Sequence, residues 1–504
     1  MWHDIKTRWR ALTALASSAV LLGACAAGPD FHSPADDSAS QFRLPVPAQA
    51  TVSTAGSAGQ AQRFHSDAPI AADWYRLFQS PVLDDLIARA LAHNPSLQAS
   101  QARLRQAAHQ LEAVSGSHFP DLDAGGQASR QRANGAQIGL DNPLFNNVFN
   151  LYDARLSLSY DLDLFGASRR ATEAQQARVD YQQNLLRGSL LTLVDNVVVT
   201  TVHYAALHDR LAATRHIIAA EQDQVALLDK QETAGAVAYA DVLRARAQLA
   251  DSQAMLPPLQ HDLTVTGHAL ARLVGSDPAR FPPPALSLDD LSLPAELPVS
   301  LPSSLVRQRP DILAAEAQLH QATAELGVAS AHLYPNITLT ASLGSAANHT
   351  GDLFSSPAQI WNLGGALSAP LFHGGSLRAQ RDAARAALDA SYARYRNTVL
   401  GAFTQVSDVL DAISQDAATL KAQDHALNAN RDSLQLVRKQ YQAGAAGYLD
   451  VLSAEQRFNR ALLAHVDAAS QRYADTAALY HALGGGWWQP PTTPDSVATA
   501  PRAD

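Results

Sequence analysis

Proline is absent from two long stretches of this chain, residues 166–256 and 371–489, although the chain contains 26 prolines. A proline inside a helix removes a backbone hydrogen bond and clashes with the preceding turn, so its absence permits two very long helices. Charged residues make up only 17% of the chain and aromatic residues only 6%. This composition suits long helices better than a compact enzyme.

Cysteine, methionine and an excess of basic residues are also missing. The single cysteine has no disulfide partner, and 2 methionines with 1 cysteine weaken any case for a soft-metal relay. The net charge of -9 leaves no basic surface for nucleic acid. His203 and His208 lack the i, i+4 spacing that places two metal ligands on one helix face, and there is no phosphate-binding loop, HExxH or GxSxG motif. We therefore predict no cofactor, no metal site, no nucleic acid partner and no enzymatic activity.

The N-terminus has the pattern of an export signal. Three basic residues precede an apolar run over 11–22, which is shorter than the roughly 20 residues that a membrane-spanning helix needs. The run ends in Leu22-Gly23-Ala24-Cys25, which resembles the lipobox of bacterial lipoproteins. This resemblance implies cleavage of the signal before Cys25 and acylation of that cysteine. Because Ala26 follows, rather than aspartate, it also implies sorting to the outer membrane.

The rest of the chain contains one set of landmarks twice. The pairs are Asn94-Pro95 with Arg309-Pro310, Phe119-Pro120 with Tyr334-Pro335, Phe165-Gly166 with Phe372-His373-Gly374, Ala234-Gly235-Ala236 with Ala443-Gly444-Ala445, and Asp241-Val242-Leu243 with Asp450-Val451-Leu452. The first two landmarks are 25 residues apart in both halves. A repeat of roughly 210 residues is far longer than a solenoid unit of about 20 to 50. It indicates two copies of one large supersecondary unit.

Each copy is predicted to combine two strands with a long helical hairpin. Alternation of apolar and polar residues predicts strands at 121–129, 155–164, 337–343 and 361–369. Helices are predicted from Gly166 to Thr233 and from Gly375 to Gln442, each about 100 Å long. Each helix ends at a glycine tip, Gly235 or Gly444. Pro257-Pro258 is predicted to kink the first return helix.

These features predict how the chain is divided. The segments are a signal peptide at 1–24, a lipidated N-terminal tether at 25–69, a first repeat at 70–275, a proline-rich connector at 276–302, a second repeat at 303–486 and a flexible tail at 487–504. The first repeat holds a β-hairpin at about 121–165 and a helical hairpin at about 166–275. The second holds a β-hairpin at about 336–372 and a helical hairpin at about 375–484.

The alternating strands suit a membrane as well as a soluble sandwich. Four strands are all that the sequence predicts, and the helices are too long and thin to cover them. Lipid outside and water inside select the same alternation. A sheet in hydrocarbon must close, because unpaired edges cannot be satisfied there. Two chains would supply eight strands and a filled interior, whereas three would supply twelve and leave a lumen.

An ordered set of residues carries a family resemblance. The set is Trp74-Tyr75, Phe78, Leu83-Asp84, Asn94-Pro95, Arg309-Pro310-Asp311, the Phe-Gly turns and the Ala-Gly tips. Together with the lipobox it resembles the TolC-like outer-membrane efflux factors, in the lipoprotein (NodT-type) branch that works with resistance-nodulation-division pumps. The resemblance covers about residues 70–486.

This resemblance implies a mainly α fold with a membrane β-barrel. Three identical chains would close a twelve-stranded barrel, with four strands from each, and a long α-helical periplasmic barrel would continue it. The function implied is that of a passive outer-membrane channel in a tripartite efflux pump, which exports drugs or other small toxic compounds. The partners implied are outer-membrane lipid, a periplasmic adaptor (membrane fusion) protein and an inner-membrane transporter.

The resemblance also implies roles for residues at the hairpin tips. Leu449, Asp450 and Ser453 would line the periplasmic aperture, and Gly235 and Gly444 would mark the tips where the adaptor docks. Three Asp450 carboxylates would form an acidic ring, or Asp450 would only cap the return helix. Both interpretations stay open. Ser453 stands where some relatives have a second acidic residue, which argues against a double ring.

One alternative belongs to a different functional class. A periplasmic coiled-coil lipoprotein acting as scaffold or adaptor would also have long helices, with its strands in a small soluble β domain. The duplicated hairpins and the lipid-suited strand faces favour the channel.

Overall fold

The computed structural model describes residues 26–34, 49–66, 70–132, 148–299 and 302–487. The chain divides into two compact units. Unit 1 comprises 1–34, 104–182 and 315–395, and unit 2 comprises 35–103, 183–314 and 396–504. The predicted signal peptide and Cys25 lie outside the described residues.

Helices account for most of the described chain. They are α1 (Pro81–His93), α2 (Pro95–Gly116), α3 (Ala167–Thr233), α4 (Tyr239–Ala254), α5 (Leu256–Leu273), α6 (Pro302–Gln308), α7 (Pro310–Ala331), α8 (Ser376–Gln442) and α9 (Tyr448–Ala482). The strands are β1 (Arg63–Ser66), β2 (Asp121–Arg132), β3 (Val148–Leu162), β4 (Glu296–Val299), β5 (Asn336–Ala347) and β6 (Gln359–Ser368). The prediction of a mainly α chain with four long strands is confirmed.

The two longest helices, α3 and α8, contain 67 residues each. Both begin within one residue of the predicted start and end at the predicted residue, because glycine at the ends and the absence of proline between them are local signals. An 18-residue window of α3 is apolar enough to cross a membrane, but 56% of it is buried inside the protein. Packing against other helices therefore accounts for its apolar side chains.

The return helices of the two hairpins differ as predicted. In the second repeat α9 is continuous over 35 residues. In the first repeat the helix is interrupted at Met255, between α4 and α5. Pro257 and Pro258 explain the interruption, since neither has a backbone N–H for the carbonyl four residues earlier.

Unit 1 contains an antiparallel sheet in the order β2-β3-β5-β6. Each β-hairpin is formed within one repeat, and β3 pairs with β5 to join the two repeats in one sheet. The sheet therefore consists of two hairpins, β2–β3 and β5–β6, that are joined by the long-range pairing of β3 with β5.

Unit 2 contains a buried arginine that binds the N-terminal segment. Arg472 of α9 is fully buried, and its guanidinium donates to the carbonyls of Ala58 and Gln60 at 2.6 Å and to Thr51 Oγ1 at 3.1 Å. Beyond this contact, β1 pairs in parallel with β4. Within the lipidated tether predicted over 25–69, residues 51–66 are therefore packed against the rest of unit 2, because a buried guanidinium needs acceptors and this segment supplies them.

The start of the predicted flexible tail is also packed. Trp487 donates its indole N–H to the carbonyl of Gln308 at 2.8 Å, and the Arg187 guanidinium lies 3.9 Å from the centre of its ring. The remaining tail, 488–504, lies outside the described residues. The boundary predicted at 487 is thus at least one residue too early.

Candidate functional site

The two glycine tips have the same backbone geometry. Gly235 has φ 75° and Gly444 has φ 73°, in the left-handed region that glycine adopts without strain. At each tip the next alanine donates its N–H to the carbonyl five residues earlier, at 2.8 Å, which is the Schellman pattern of a helix end. Both tips are exposed, and a Cβ added at either glycine would meet nothing within 4 Å.

Asp450 caps the helix that returns from the second tip. Its Oδ2 accepts a hydrogen bond from the Gly447 backbone N–H at 3.0 Å. A carboxylate in the first turn satisfies a free backbone donor and is stabilised by the helix dipole. The capping role of Asp450 is therefore present within one chain.

The predicted aperture residues lie together on one exposed side of α9. Leu449 is 57% exposed, and both Asp450 and Ser453 are exposed. Ser453 donates its hydroxyl to the Leu449 carbonyl at 2.8 Å. Their neighbours Val451 and Leu452 are buried. The helix thus keeps Leu449, Asp450 and Ser453 free for contacts outside the chain.

The first repeat has a different arrangement at the same place. Asp241 makes no capping bond there, and instead accepts a hydrogen bond from the Arg244 guanidinium at 2.7 Å. Arg244 lies three residues after Asp241, the position that Ser453 takes after Asp450. The carboxylate is therefore balanced by a cation within its own turn in the first repeat, but not in the second.

A shared apolar core fixes the two hairpins together just behind the tips. Its buried members are Leu228, Val242 and Ala245 from the first repeat and Tyr448, Val451 and Leu452 from the second. Burial raises the pKa of the Tyr448 hydroxyl. Two hydrogen bonds also join the hairpins, from Gln456 to Gln248 at 2.6 Å and from Tyr441 to Gln231 at 3.5 Å.

The sheet of unit 1 has one apolar and one polar face. Residues directly opposite one another in neighbouring strands share a face. One row of four consists of Ala124, Leu156, Leu343 and Trp361, and the next apolar row of Leu122, Leu158, Ala341 and Leu363. The row between them consists of Asp123, Ser157, Ser342 and Asn362. Alternation is therefore in register across all four strands.

The apolar face of the sheet is exposed. Trp361 is 78%, Leu363 76% and Leu122 67% accessible, so no part of the described chain covers them. The strands contain 10 to 15 residues, enough for the about 9 to 11 that cross a bilayer. An exposed apolar band of this size marks an interaction surface.

Both edges of the sheet are open. Among the described residues, β2 pairs only with β3, and β6 pairs only with β5. Open edges cannot persist in hydrocarbon and are hazardous in water. The sheet therefore requires strands from other chains.

Four aromatic residues lie at one end of this sheet, a feature that the sequence interpretation missed. Phe119 and Tyr334 precede β2 and β5, and Phe165 and Phe372 follow β3 and β6, so in an antiparallel sheet all four are at the same end. Phe165 stacks on Tyr334 at 4.6 Å, while Phe119 and Phe372 are 71% and 88% exposed. The signal was present in the duplicated landmarks. Aromatic residues in this position are typical of a membrane–water interface.

The residues that follow Cys25 pack at the same end. The Ala27 N–H donates to the Phe165 carbonyl at 2.9 Å. The buried Arg170 donates to Asp30 at 2.6 Å and holds the pKa of that carboxyl below its usual range. Cys25 itself lies outside the described residues, but the chain next to it is fixed beside the aromatic end of the sheet.

The two histidines considered in the sequence have different surroundings. His203 is exposed, and His208 lies beside Asp209 with a nitrogen–oxygen distance of 3.7 Å. In the part of the chain that the structure describes, no three His, Cys, Asp or Glu side chains are grouped to hold a metal ion.

Comparison with known proteins gives matches over most of the chain. The family model described as "Outer membrane efflux protein" matches residues 86–276 and 301–485. The pyoverdine export outer membrane protein OpmQ of Pseudomonas aeruginosa is 33% identical over 482 residues, which is 94% of this chain and 96% of that protein. The probable outer membrane lipoprotein SilC of Salmonella typhimurium is 28% identical over 94% of this chain and 98% of that protein. Among solved structures, the outer-membrane channel OprN is 28% identical, with a TM-score of 0.81, over 92% of this chain and 100% of that one.

Proposed function

The chain belongs to the outer membrane efflux protein family, and we propose how it assembles, where it is anchored and where it closes. Members of this family are channel proteins, and the chain is an outer-membrane efflux channel of a tripartite pump. The alternative of a periplasmic scaffold or adaptor lipoprotein is therefore wrong. The observation that carries the proposal is a four-stranded sheet with an exposed apolar face and two open edges.

Three copies of the chain form the channel. Each copy contributes four strands, and joining β2 of one copy to β6 of the next satisfies every edge. Two copies would give eight strands, whose interior is filled by side chains, whereas three give twelve and leave a lumen. The apolar rows then face lipid, and the polar row that includes Asn362 faces water. The long helices form the periplasmic tunnel.

The anchor of each copy is an acyl chain on Cys25. Two observations support this assignment. The lipobox sequence Leu22-Gly23-Ala24-Cys25 provides the modification site, and the contact of Ala27 with Phe165 keeps the following residues at the aromatic end of the sheet. A lipid attached there would enter the leaflet next to the barrel.

The pump partners act at the other functional region, the hairpin tips. The periplasmic adaptor docks at Gly235 and Gly444, where flanking alanines leave the backbone accessible. The inner-membrane partner is a transporter of the resistance-nodulation-division type, which supplies the energy. The channel itself is a passive conduit for small organic compounds and carries no catalytic chemistry.

The periplasmic aperture is lined by Leu449, Asp450 and Ser453. Their shared exposure on α9 supports this role. With three copies around an axis, the Asp450 carboxylates form an acidic ring that attracts cations and repels anions. Asp450 can cap its own helix and also belong to the ring, because the cap occupies only its Oδ2 atom.

Two lysine substitutions at neighbouring positions of β6 test the proposed barrel. Leu363→Lys places a charge on the apolar face and should cost about 2 to 4 kcal/mol near the middle of the bilayer. Asn362→Lys places the same charge on the polar face and should be tolerated. Detergent-extracted wild type and Asn362→Lys should be trimers that form channels in planar bilayers, whereas Leu363→Lys should be lost from the outer membrane.

Equal behaviour of the two variants would contradict the assignment of the faces. A wild-type protein that is a monomer in detergent and forms no channel would overturn the proposed assembly as a whole.

A further inference from the structure

A cavity that is partly open to solvent lies between the helices of the two hairpins in unit 2, away from the tips. Its volume is about 300 Å³, at the lower end of the range for small-molecule sites. It is lined by α3, α8 and α9. Its lining includes Ala213, Ile217 and Glu221 of α3 and Glu455, Phe458 and Leu462 of α9.

Two carboxylates are buried at this cavity. Glu221 and Glu455 are each only 7% exposed. Glu455 Oε1 accepts a hydrogen bond from the Arg438 guanidinium at 2.8 Å, and Arg438 is half exposed. Glu221 Oε1 accepts one from the Gln248 amide at 3.2 Å. The described residues therefore supply one cation for two buried acids.

The second oxygen of Glu221 has no donor. Oε2 is buried, and it accepts no well-formed hydrogen bond from a described residue. A buried carboxylate without a donor or counter-ion is costly. Burial raises the pKa of Glu221, and the charges of Glu455 and Asp251 raise it further, against the hydrogen bonds from Ser252 and Gln248. A positively charged hydrogen-bond donor would relieve this cost.

Apart from Arg438, His216 and Asn459, the rest of the cavity wall is apolar. Leu434 is buried, and Ile217, Phe458 and Leu462 are half-buried. A metal ion would require more charged ligands, and the described residues hold no group of three such side chains. An apolar body with one cationic end matches both the wall and the carboxylate.

We propose that this cavity binds a small organic cation, with a primary ammonium or amidinium on Glu221 Oε2 and an apolar body against Ile217, Phe458 and Leu462. The site is separate from the aperture and does not depend on the proposed trimer. Because its walls come from α3 in the first repeat and from α8 and α9 in the second, the ligand connects the two hairpins. Binding should therefore stabilise the folded protein.

The experiment compares two probes of the same shape and different charge. The full-length protein in detergent is titrated with 2-phenylethylammonium and with neutral 2-phenylethanol, by calorimetry and by thermal unfolding. We expect one saturable site per chain for the ammonium and a concentration-dependent rise in Tm. The neutral probe should bind about tenfold or more weakly, as expected for loss of a hydrogen bond to a charged group.

Three variants locate the site. Glu221→Gln removes the charge and should weaken ammonium binding about tenfold or more. Ala213→Leu fills the cavity and keeps both carboxylates, so it should also weaken ammonium binding. It tests the location of the site even if Glu221→Gln fails to fold. Asp223→Asn removes an exposed charge from the same helix and should bind as the wild type does.

Several results would overturn the proposal. These are no saturable binding by the wild type, equal binding of the two probes, or unchanged affinity in Glu221→Gln or Ala213→Leu. Loss of binding in Asp223→Asn would also overturn it, since a general effect of surface charge would then explain the data.

Discussion

Asp241 and Asp450 occupy the same position in the two repeats, six residues after a tip glycine, yet they meet different partners. Asp241 is paired at 2.7 Å with Arg244. Asp450 accepts only the Gly447 backbone N–H at 3.0 Å among the hydrogen bonds described for it, and Ser453 stands where Arg244 does in the first repeat. The two tips thus share one backbone geometry, but only the first has a cation three residues after its aspartate.

The same comparison extends along the helices. Because α3 and α8 have equal lengths, Asp416 of α8 corresponds to Leu207 of α3. The return helices also begin and end at matching positions after the tips, so Asp475 of α9 corresponds to Thr266 of α5. Leu207 and Thr266 are buried without charge, whereas Asp416 and Asp475 are two interacting carboxyls. At these two levels of unit 2 the second repeat therefore carries acidic groups where the first repeat has a paired or an uncharged residue, and these differences are the places to look for function.

The largest effect is expected from removing Asp450. Asp450→Ala takes away the proposed ring, side-chain bulk at the aperture and a helix cap worth about 1 kcal/mol. We expect several-fold higher leak conductance in planar bilayers and a reversal potential near zero in a salt gradient. Asp241→Ala should change neither, because Arg244 already balances that carboxylate.

Asp450→Asn separates the ring from the cap. The amide oxygen can still accept the Gly447 N–H and fills the same volume, so this variant should lose cation preference while leak conductance stays low. If Asp450→Asn kept the cation preference of the wild type, Asp450 would act only as a helix cap. Equal effects of Asp450→Ala and Asp241→Ala would remove the distinction between the tips.

A smaller effect is expected from exchanging the charge pattern between the tips. Ser453→Arg places a cation three residues after Asp450, as Arg244 is placed after Asp241. Cation preference should fall partway towards that of Asp450→Asn. Stability should change by less than about 1 kcal/mol, as is usual for an exposed ion pair.

The reverse exchange, Arg244→Ser, is the control for Ser453→Arg. It removes the guanidinium that pairs with Asp241 in the first repeat. We place no aperture residue there, so the reversal potential should stay unchanged. A shift as large as that of Ser453→Arg would show that both repeats line the constriction.

The elements that could be predicted from sequence are those with local signals. The bounds of α3 and α8 follow from glycine and the absence of proline, and the interruption at Met255 follows from two prolines. The four membrane strands follow from alternation. In each case the residues that decide the structure are close together in the chain.

The features that could not be predicted depend on contacts between distant residues. Arg472 reaches Ala58 across 414 positions, and β1 and β4 are four-residue strands that exist only because they pair with each other. The cavity at Glu221 needs three helices in place before it exists. At the tips the residues could be named from the resemblance, but the different partners of Asp241 and Asp450 required side-chain geometry.

The smallest effect is expected from the carboxyl pair of the second repeat. Burial, together with the hydrogen bond and charge of Asp475, raises the pKa of Asp416 to about 7, and the charge of Arg472 opposes this rise only in part. The unfolded value is about 3.9. Between these pH values the folded state holds a proton that the unfolded state lacks, so this group makes the protein less stable as pH rises from about 4 to about 7.

Asp416→Asn should remove this pH dependence. Relative to the wild type, its apparent Tm in detergent should be higher at pH 8, by on the order of 2 to 4 °C, and the gain should shrink towards pH 5. Asp408→Asn, an exposed change on the same helix, should leave the wild-type profile intact. A gain in Asp416→Asn that is the same at pH 5 and pH 8 would mean that the pair does not hold an extra proton, and that the acidic character of the second repeat matters at its tip alone.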